Sequence, residues 1–214
     1  MTEFISNLIG NDFLATIIMS FIPMIELKGS IVFARGAGIE IYYAFLLSYL
    51  GSTLVFFLIF FLLKPILKLL KKIKFIDKFA LKLEYYFKDK AQRTLEKQQQ
   101  KNKKGNMDER KLKMLSTFVF VAIPLPLTGV WTGTAVSVFL DMKFKDAILP
   151  VVIGNFIAGL LISGLAELCM LIFKSYAVLD YILYGLFGLA VILLTVFIVK
   201  VAIKKPPVQN EGDK

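Results

Sequence analysis

The hydrophobic positions of the chain fall into long apolar stretches separated by short charged segments. Ile41 to Leu63 contains no charged residue, and at about 1.5 Å per residue it covers roughly 34 Å, enough to cross a hydrocarbon core of about 30 Å. Two further stretches of spanning length follow, Ala147 to Phe173 and Ser175 to Val199, each with one acidic residue inside. The pattern predicts three transmembrane helices and an all-α polytopic membrane protein.

Two other apolar stretches are interrupted where a spanning helix would have its middle. Phe13 to Ile25 stops at Glu26 and Lys28, and Met114 to Leu140 is divided by Pro124-Leu-Pro-Leu-Thr-Gly129. Each half reaches the middle of a bilayer but not its far side, at about 15–20 Å of helix. Proline and glycine leave backbone groups unpaired, which is tolerated at that depth only where protein or water covers them. We therefore expect two re-entrant helical hairpins.

Positive charge is concentrated in one loop, residues 64–113, with 17 Lys or Arg against 6 Asp or Glu in a chain of formal charge +10. The positive-inside rule makes this loop and the tail, residues 204–214, cytoplasmic. Acidic residues alone precede the first hairpin and favour an N-terminus outside; the alternative is that residues 13–34 cross fully and the N-terminus lies inside. The loop predicts a basic amphipathic helix at the membrane surface from apolar residues at helical spacing: Leu69, Leu70, Ile73, Ile76, Phe79, Ala80, Leu83 and Phe87. This helix either recruits anionic lipid or simply extends the preceding span and lies on the headgroups.

The amino-acid composition excludes several kinds of catalytic and metal-binding site. The chain is 57% hydrophobic and has no histidine and one cysteine, Cys169, which excludes imidazole-based triads, thiolate zinc sites and disulfides within one chain. No recognition fold accompanies the lysines, so we expect no nucleic-acid partner. We expect a protein that is not an enzyme and has no cofactor or metal, apart from H⁺ or Na⁺ as a coupling ion. Its expected partner is the bilayer, and a homodimer could shield the hairpins.

An internal repeat relates the two halves. Residues 13–63 form repeat 1 and residues 114–173 form repeat 2, each a hairpin, a short acidic connection and a span; residues 175–203 form the final span. Because the basic loop between the repeats is cytoplasmic, the hairpins open to opposite sides and the repeats are inverted, as in many secondary transporters. Three pairs of segments carry the similarity: Ile22-Pro23 with Ile123-Pro124, Ile39-Glu40-Ile41 with Leu140-Asp141-Met142, and Gly51-Ser52 with Gly154-Asn155.

Two segments carry a family resemblance, Pro23-Met-Ile-Glu-Leu-Lys-Gly-Ser30 and Pro124-Leu-Pro-Leu-Thr-Gly-Val-Trp-Thr-Gly133. In these the chain resembles the bacterial small multidrug export protein family, which looks like a branch of the DedA superfamily of VTT-domain proteins. The resemblance covers about residues 13–173. It implies re-entrant hairpins in an inverted repeat, a bacterial inner-membrane location and, by analogy with DedA relatives, translocation of polyprenyl (undecaprenyl) phosphate carriers or other lipids.

The first candidate site residues are Glu26, Lys28 and Arg35, because a charge between apolar stretches is costly unless it is paired or wetted. We expect Lys28 and Arg35 to hold an anionic headgroup, while Glu26 pairs with them or takes the coupling proton. Glu167, inside its span, is a second candidate for that proton. The alternative for all four is that they reach the membrane surface and are simply solvated.

The second hairpin supplies the opposite side of the candidate site, with Thr128, Gly129 and Thr132 at the start of a half-helix, where free amides suit a phosphate. Small residues also let helices pack closely, which is the alternative interpretation. Trp131 is either a substrate contact or a packing anchor, and Asn155 either binds a hairpin tip or joins two helices.

The leading hypothesis is a transporter that moves an anionic lipid by exposing a midplane site to each side in turn. The alternative within the same class is export of cationic amphipathic drugs, with Glu26 and Glu167 as the binding charges. A membrane enzyme acting on lipid phosphates is disfavoured by the missing histidine and by the lack of clustered acidic residues in the sequence. An assembly protein would not need buried charges.

Overall fold

The structure is a computed structural model that describes residues 2–23, 25–70, 108–124, 128–174 and 176–203, with isolated positions between 81 and 96. All the regular elements within these ranges are helices, as the sequence predicts. In chain order they are α1 (Thr2–Ile9), α2 (Asp12–Phe21), α3 (Glu26–Gly36), α4 (Ile41–Leu70), α5 (Glu109–Ala122), α6 (Val130–Phe139), α7 (Phe144–Phe173) and α8 (Tyr176–Ile203).

Two helices of the described part, α4 and α7, are long and apolar enough to cross a bilayer. The pair α1 and α2 would count as a third by length and composition, but it is bent by 102° at residues 10 and 11. Helix α8 covers the predicted final span. These helices agree with a multi-pass membrane protein.

Several element boundaries differ from the predicted ones. Helix α4 continues through Lys64 and Pro65 to Leu70, because a charged residue at the end of a span can reach the headgroups without ending the helix. Helix α5 starts at Glu109, inside the predicted basic loop. Helix α1 was not predicted. The proposed amphipathic basic helix falls mostly outside the described residues.

Each repeat contains two short helices, a break between them, a tight connection and a long helix. The helices α2 and α5 end in the same way, with Ile22 at φ −72°, ψ 124° and Ile123 at φ −74°, ψ 120°. A proline follows each of these extended residues, and it disfavours a helical conformation in the residue before it. The break predicted at both positions is therefore present.

The connections between the short and long helices are also alike. The backbone N–H of Ile39 donates to the carbonyl of Ala34 at 3.0 Å, and that of Met142 donates to Ser137 at 3.1 Å. Both bonds close the end of a short helix in the way a Schellman motif does. Ile39 is thus equivalent to Met142, whereas the sequence comparison paired it with Leu140.

A glycine lets each short helix lie close to its own long helix. A Cβ on Gly51 would collide with the hydroxyl of Ser20 in α2, and one on Gly154 would lie 2.9 Å from the Phe118 carbonyl oxygen in α5. Small residues at such crossings allow close backbone approach, the usual basis of helix association in membranes. The glycines that the sequence repeat singled out therefore have the same packing role in both halves.

The two pairs of short helices, α2–α3 and α5–α6, are each open at one end, and the two open ends lie beside different long helices. The start of α2 and the α3–α4 connection line one cleft of about 470 Å³, which includes Asp12 and Glu40. At the start of α5, Arg110 makes two bonds to the carboxylate of Asp146 at the start of α7, at 2.9 and 2.5 Å. The α2–α3 pair therefore opens where α4 begins, and the α5–α6 pair where α7 begins.

Candidate functional site at the helix breaks

The carboxylate of Glu26 caps a helix of the other repeat. Glu26 starts α3 in a left-handed conformation, with φ 47°, and its side chain is buried. Its Oε1 accepts a hydrogen bond of 3.0 Å from the backbone N–H of Trp131, and the N–H of Val130 also donates to this carboxylate. Because the first amides of a helix lack partners within it and carry partial positive charge, this position suits an anion.

Gly129 makes room for that carboxylate. It stands just before α6 with φ 142° and ψ −163°, a region that is essentially restricted to glycine. A Cβ at this position would lie against the carboxylate of Glu26, at 2.9 Å from its Cδ and closer still to Oε2. The role found for Gly129 is thus close approach between the two repeats.

The ammonium group of Lys28 contacts the backbone of the second break, between α5 and α6. It donates to the carbonyl oxygen of Thr128 and lies 3.4 Å from the hydroxyl of the same residue. That hydroxyl donates in turn to the carbonyl of Ile123 at 2.7 Å. Lys28 is buried and attracts Glu26 electrostatically. The carbonyls freed by the break therefore meet a cation, and the freed amides meet an anion.

The second repeat caps the first in return. The indole N–H of Trp131 donates to the carbonyl oxygen of Phe21, the last residue of α2, at 3.1 Å. Backbone groups freed by a break in a helix need such partners wherever they are buried away from water. The two breaks are thus capped reciprocally, and Glu26, Lys28, Thr128, Gly129 and Trp131 form one cluster, which we call the tip site.

The other predicted site residues lie outside these contacts. Thr132 follows the tip site in α6 and is partly exposed. Arg35, in the last turn of α3, is about 14 Å along the helix from Glu26. It therefore does not lie beside Lys28, contrary to the expectation that both would hold one headgroup. Its Nε lies 2.6 Å from Oε1 of Glu167, the second proposed proton carrier, so that two predicted site residues pair with each other.

Asn155 joins the two long helices, and its hydrogen bonds within the described residues do not go to either break. Its amide nitrogen donates to the hydroxyls of Ser52 at 2.8 Å and Thr53 at 3.1 Å. This contact pairs the two small polar positions that the sequence repeat had matched. Of the two interpretations of Asn155, the geometry supports the helix-joining one.

Sequence reasoning missed two partners that the structure brings to the repeat interface. The carbonyl of Phe21 has no signature in the sequence, since any residue could supply it. Asp141, which the sequence places in a short acidic connection, pairs with Lys64 at 2.6 Å. Within the described ranges, no three acidic or thiol side chains come close enough to hold a metal ion.

Comparison with known proteins places the chain in a family. The model of the family described as "Putative small multi-drug export protein" matches residues 26–161, well over half of the 214 residues. The match includes the tip site, both connections and most of the two long helices. No curated protein and no solved structure matches significantly. The chain therefore belongs to the small multi-drug export protein family.

Proposed function

We propose that this membrane exporter translocates an anionic lipid, such as a polyprenyl phosphate carrier, and that the tip site binds the headgroup. In this proposal α2–α3 and α5–α6 are re-entrant hairpins of an inverted repeat in the bacterial inner membrane. Repeat 1 opens to the outside, together with the N-terminus, and the basic loop and C-terminal tail lie in the cytoplasm. No chemical conversion of the lipid is involved.

One observation carries the proposal: the start of α6 already holds an anion. The carboxylate of Glu26 accepts hydrogen bonds from the first amides of α6 while the ammonium of Lys28 lies beside the preceding carbonyl. A phosphate has the charge and acceptor oxygens to replace a carboxylate at a helix N-terminus. Lys28 then supplies the counter-charge.

In this mechanism Glu26 and the headgroup compete for the amides of α6. The headgroup enters when Glu26 withdraws and takes up the coupling proton, and it leaves when Glu26 returns as a carboxylate. Exchange of this kind couples proton and lipid because the two anions cannot occupy the same amides together. Gly129 leaves the space in which either anion approaches the backbone.

Export of cationic amphipathic drugs is the second candidate, and the family description favours it. In that case Glu26 and Glu167 are the binding charges, as the sequence suggested. Both carboxylates have positive partners, Lys28 and Arg35 respectively. A cationic drug must displace those partners, so the geometry supports the anionic substrate better.

The test is movement of a polyprenyl phosphate between the leaflets of liposomes that contain the purified protein. The wild type is compared with Lys28→Gln and with a matched control, Lys113→Gln, whose lysine pairs with Glu109 on the same helix, away from the tip site. We expect movement with the wild type and the control and its loss with Lys28→Gln. No movement with inserted wild-type protein would reject the lipid substrate.

A parallel assay measures uptake of a cationic dye into the same liposomes. If the drug hypothesis holds, Glu26→Gln abolishes dye transport and Lys28→Gln spares it. Loss of lipid movement in Lys28→Gln, together with no dye transport by any variant, supports the anionic substrate.

A further inference from the structure

In the part of the chain that the structure describes, two ion pairs join one repeat to the other. Lys64 of α4 reaches Asp141 in the α6–α7 connection, and Glu167 of α7 reaches Arg35 at the end of α3, each at 2.6 Å. Ser52 and Asn155 are 103 residues apart, and Lys64 and Glu167 have the same separation. The two long helices thus place a charged residue at equivalent positions, and each one contacts the other repeat.

These pairs lie at opposite ends of the repeat interface. Helix α4 runs away from the α3–α4 connection and ends beyond Lys64, whereas α7 runs back and carries Glu167 near its end. One pair therefore closes the end where α4 begins, and the other closes the end where α7 begins. Rotation of one repeat against the other can therefore break one ion pair while the other stays intact.

The contact of Asn155 with Ser52 lies between these ends. All the atoms involved are buried, and the distance of 2.8 Å joins matched positions of the two long helices. A contact at the centre moves least when the two ends open in turn, as in rocking motions of transporters with inverted repeats. Asn155 and Ser52 are thus placed as a pivot.

The two pairs differ in how well they are shielded from water. The side chains of Lys64 and Asp141 are 57% and 81% exposed, against 12% and 43% for Arg35 and Glu167. Arg35 also donates to the carbonyl of Ile39 at 2.6 Å. Exposed pairs are screened by water and salt, and less exposed ones are screened less. The pair at the α3–α4 end is therefore the better shielded one, although Nε of Arg35 and Oε1 of Glu167 make an ion pair without hydrogen-bond geometry, unlike the bond that Lys64 donates to Asp141.

We propose that the Arg35–Glu167 and Lys64–Asp141 pairs are two latches that break in turn as the repeats rock about the Ser52–Asn155 contact. The Lys64–Asp141 latch opens more readily, which makes the cytoplasmic end, in the topology proposed above, the end where substrate loads. Arg35 and Glu167 then act by closing one end and not by binding substrate. This inference rests on the proposed transport function.

The experiment measures how fast the tip site reacts with a membrane-impermeant thiol reagent added to one side of reconstituted vesicles. The protein carries Cys169→Ser, which removes the only native cysteine, and Thr132→Cys as the reporter next to the tip site. In this background we expect Arg35→Gln to increase labelling from the outside about tenfold, and Lys64→Gln to increase it from the cytoplasmic side by about twofold to fivefold.

The double variant Arg35→Gln with Glu167→Gln separates a latch from two independent effects. If the residues act as a pair, the double variant labels like either single variant. Additive increases, or labelling unchanged from both sides in Arg35→Gln and in Lys64→Gln, would overturn the proposal. Lys113→Gln again serves as the control and should leave labelling unchanged, because its ion pair lies within one helix.

Labelling needs no substrate, so this result is independent of the lipid assay. Latch variants that behave as expected in a protein that does not move polyprenyl phosphate would leave the rocking motion standing and remove the lipid substrate. Lipid movement by a protein whose labelling ignores both pairs would remove the latches alone.

Discussion

Replacing Gly129 with alanine tests the contact on which the tip site depends. The residue has a backbone conformation that is essentially restricted to glycine, and a Cβ there would collide with the carboxylate of Glu26. The variant must therefore bear backbone strain and also displace Glu26 from the amides of α6. Both effects lower the free energy of unfolding.

The magnitude follows from the two contributions. Backbone strain of this kind costs about 1–3 kcal/mol. Loss of hydrogen bonds to a charged group costs about 1.5–3 kcal/mol. We expect Gly129→Ala to lose about 3 kcal/mol or more, which for a chain of this size lowers the unfolding midpoint by at least about 6 °C.

Two other glycines separate the contributions. Gly38 has φ 81° but open space around its Cβ position, so Gly38→Ala should show the backbone cost alone, about 1–2 kcal/mol. Gly164 lies within α7 with neither restriction, so Gly164→Ala should not destabilise the protein. Thermal unfolding in detergent compares the three. A loss for Gly129→Ala no larger than that for Gly38→Ala would refute the close approach of Glu26.

Three further changes test contacts elsewhere, by the same measurement. Asn155→Ala removes the bonds to Ser52 and should cost about 0.5–2 kcal/mol; no loss would mean that the contact contributes nothing to stability. Gly154→Ala brings a Cβ to 2.9 Å from a carbonyl oxygen of α5 and should cost about 1–3 kcal/mol, whereas Gly164→Ala should cost nothing. Trp131→Phe keeps an aromatic but smaller side chain and leaves the Phe21 carbonyl without its indole donor, at a cost of about 0.5–1.5 kcal/mol from the lost bond, and an unchanged midpoint would count against reciprocal capping.

The sequence predicts the parts of this fold that depend on local chemistry. Pro23 and Pro124 predict where α2 and α5 end, because the residue before a proline avoids the helical conformation. An uninterrupted apolar stretch predicts α4, since its side chains suit a hydrocarbon environment over the full thickness of a bilayer. The sequence also matches Gly51 with Gly154, but their shared role in close helix packing comes from the structure.

The partners of the charged residues could not be read from the sequence. Arg35 and Lys28 are close in the chain and both follow an apolar stretch, but they belong to opposite ends of one helix and contact different elements. Their partners depend on how the repeats pack, which local patterns do not encode. The sequence places the end of the first span at Leu63 and allows a helix to extend it, and α4 does continue to Leu70 because the headgroup region accommodates the charge of Lys64.

Reciprocal capping of the two breaks also constrains how the protein is made. Lys28 contacts Thr128 across 100 residues, and Glu26 contacts Trp131 across 105. At about 5–20 residues per second, roughly 5–20 s of synthesis separate these contacting segments. During that time Glu26 and Lys28 lack their contacts in the second repeat, so α2 and α3 must keep both charges near water or lipid headgroups. In the proposed re-entrant topology, insertion of α2 and α3 is therefore a late step, completed only once α5 and α6 have emerged.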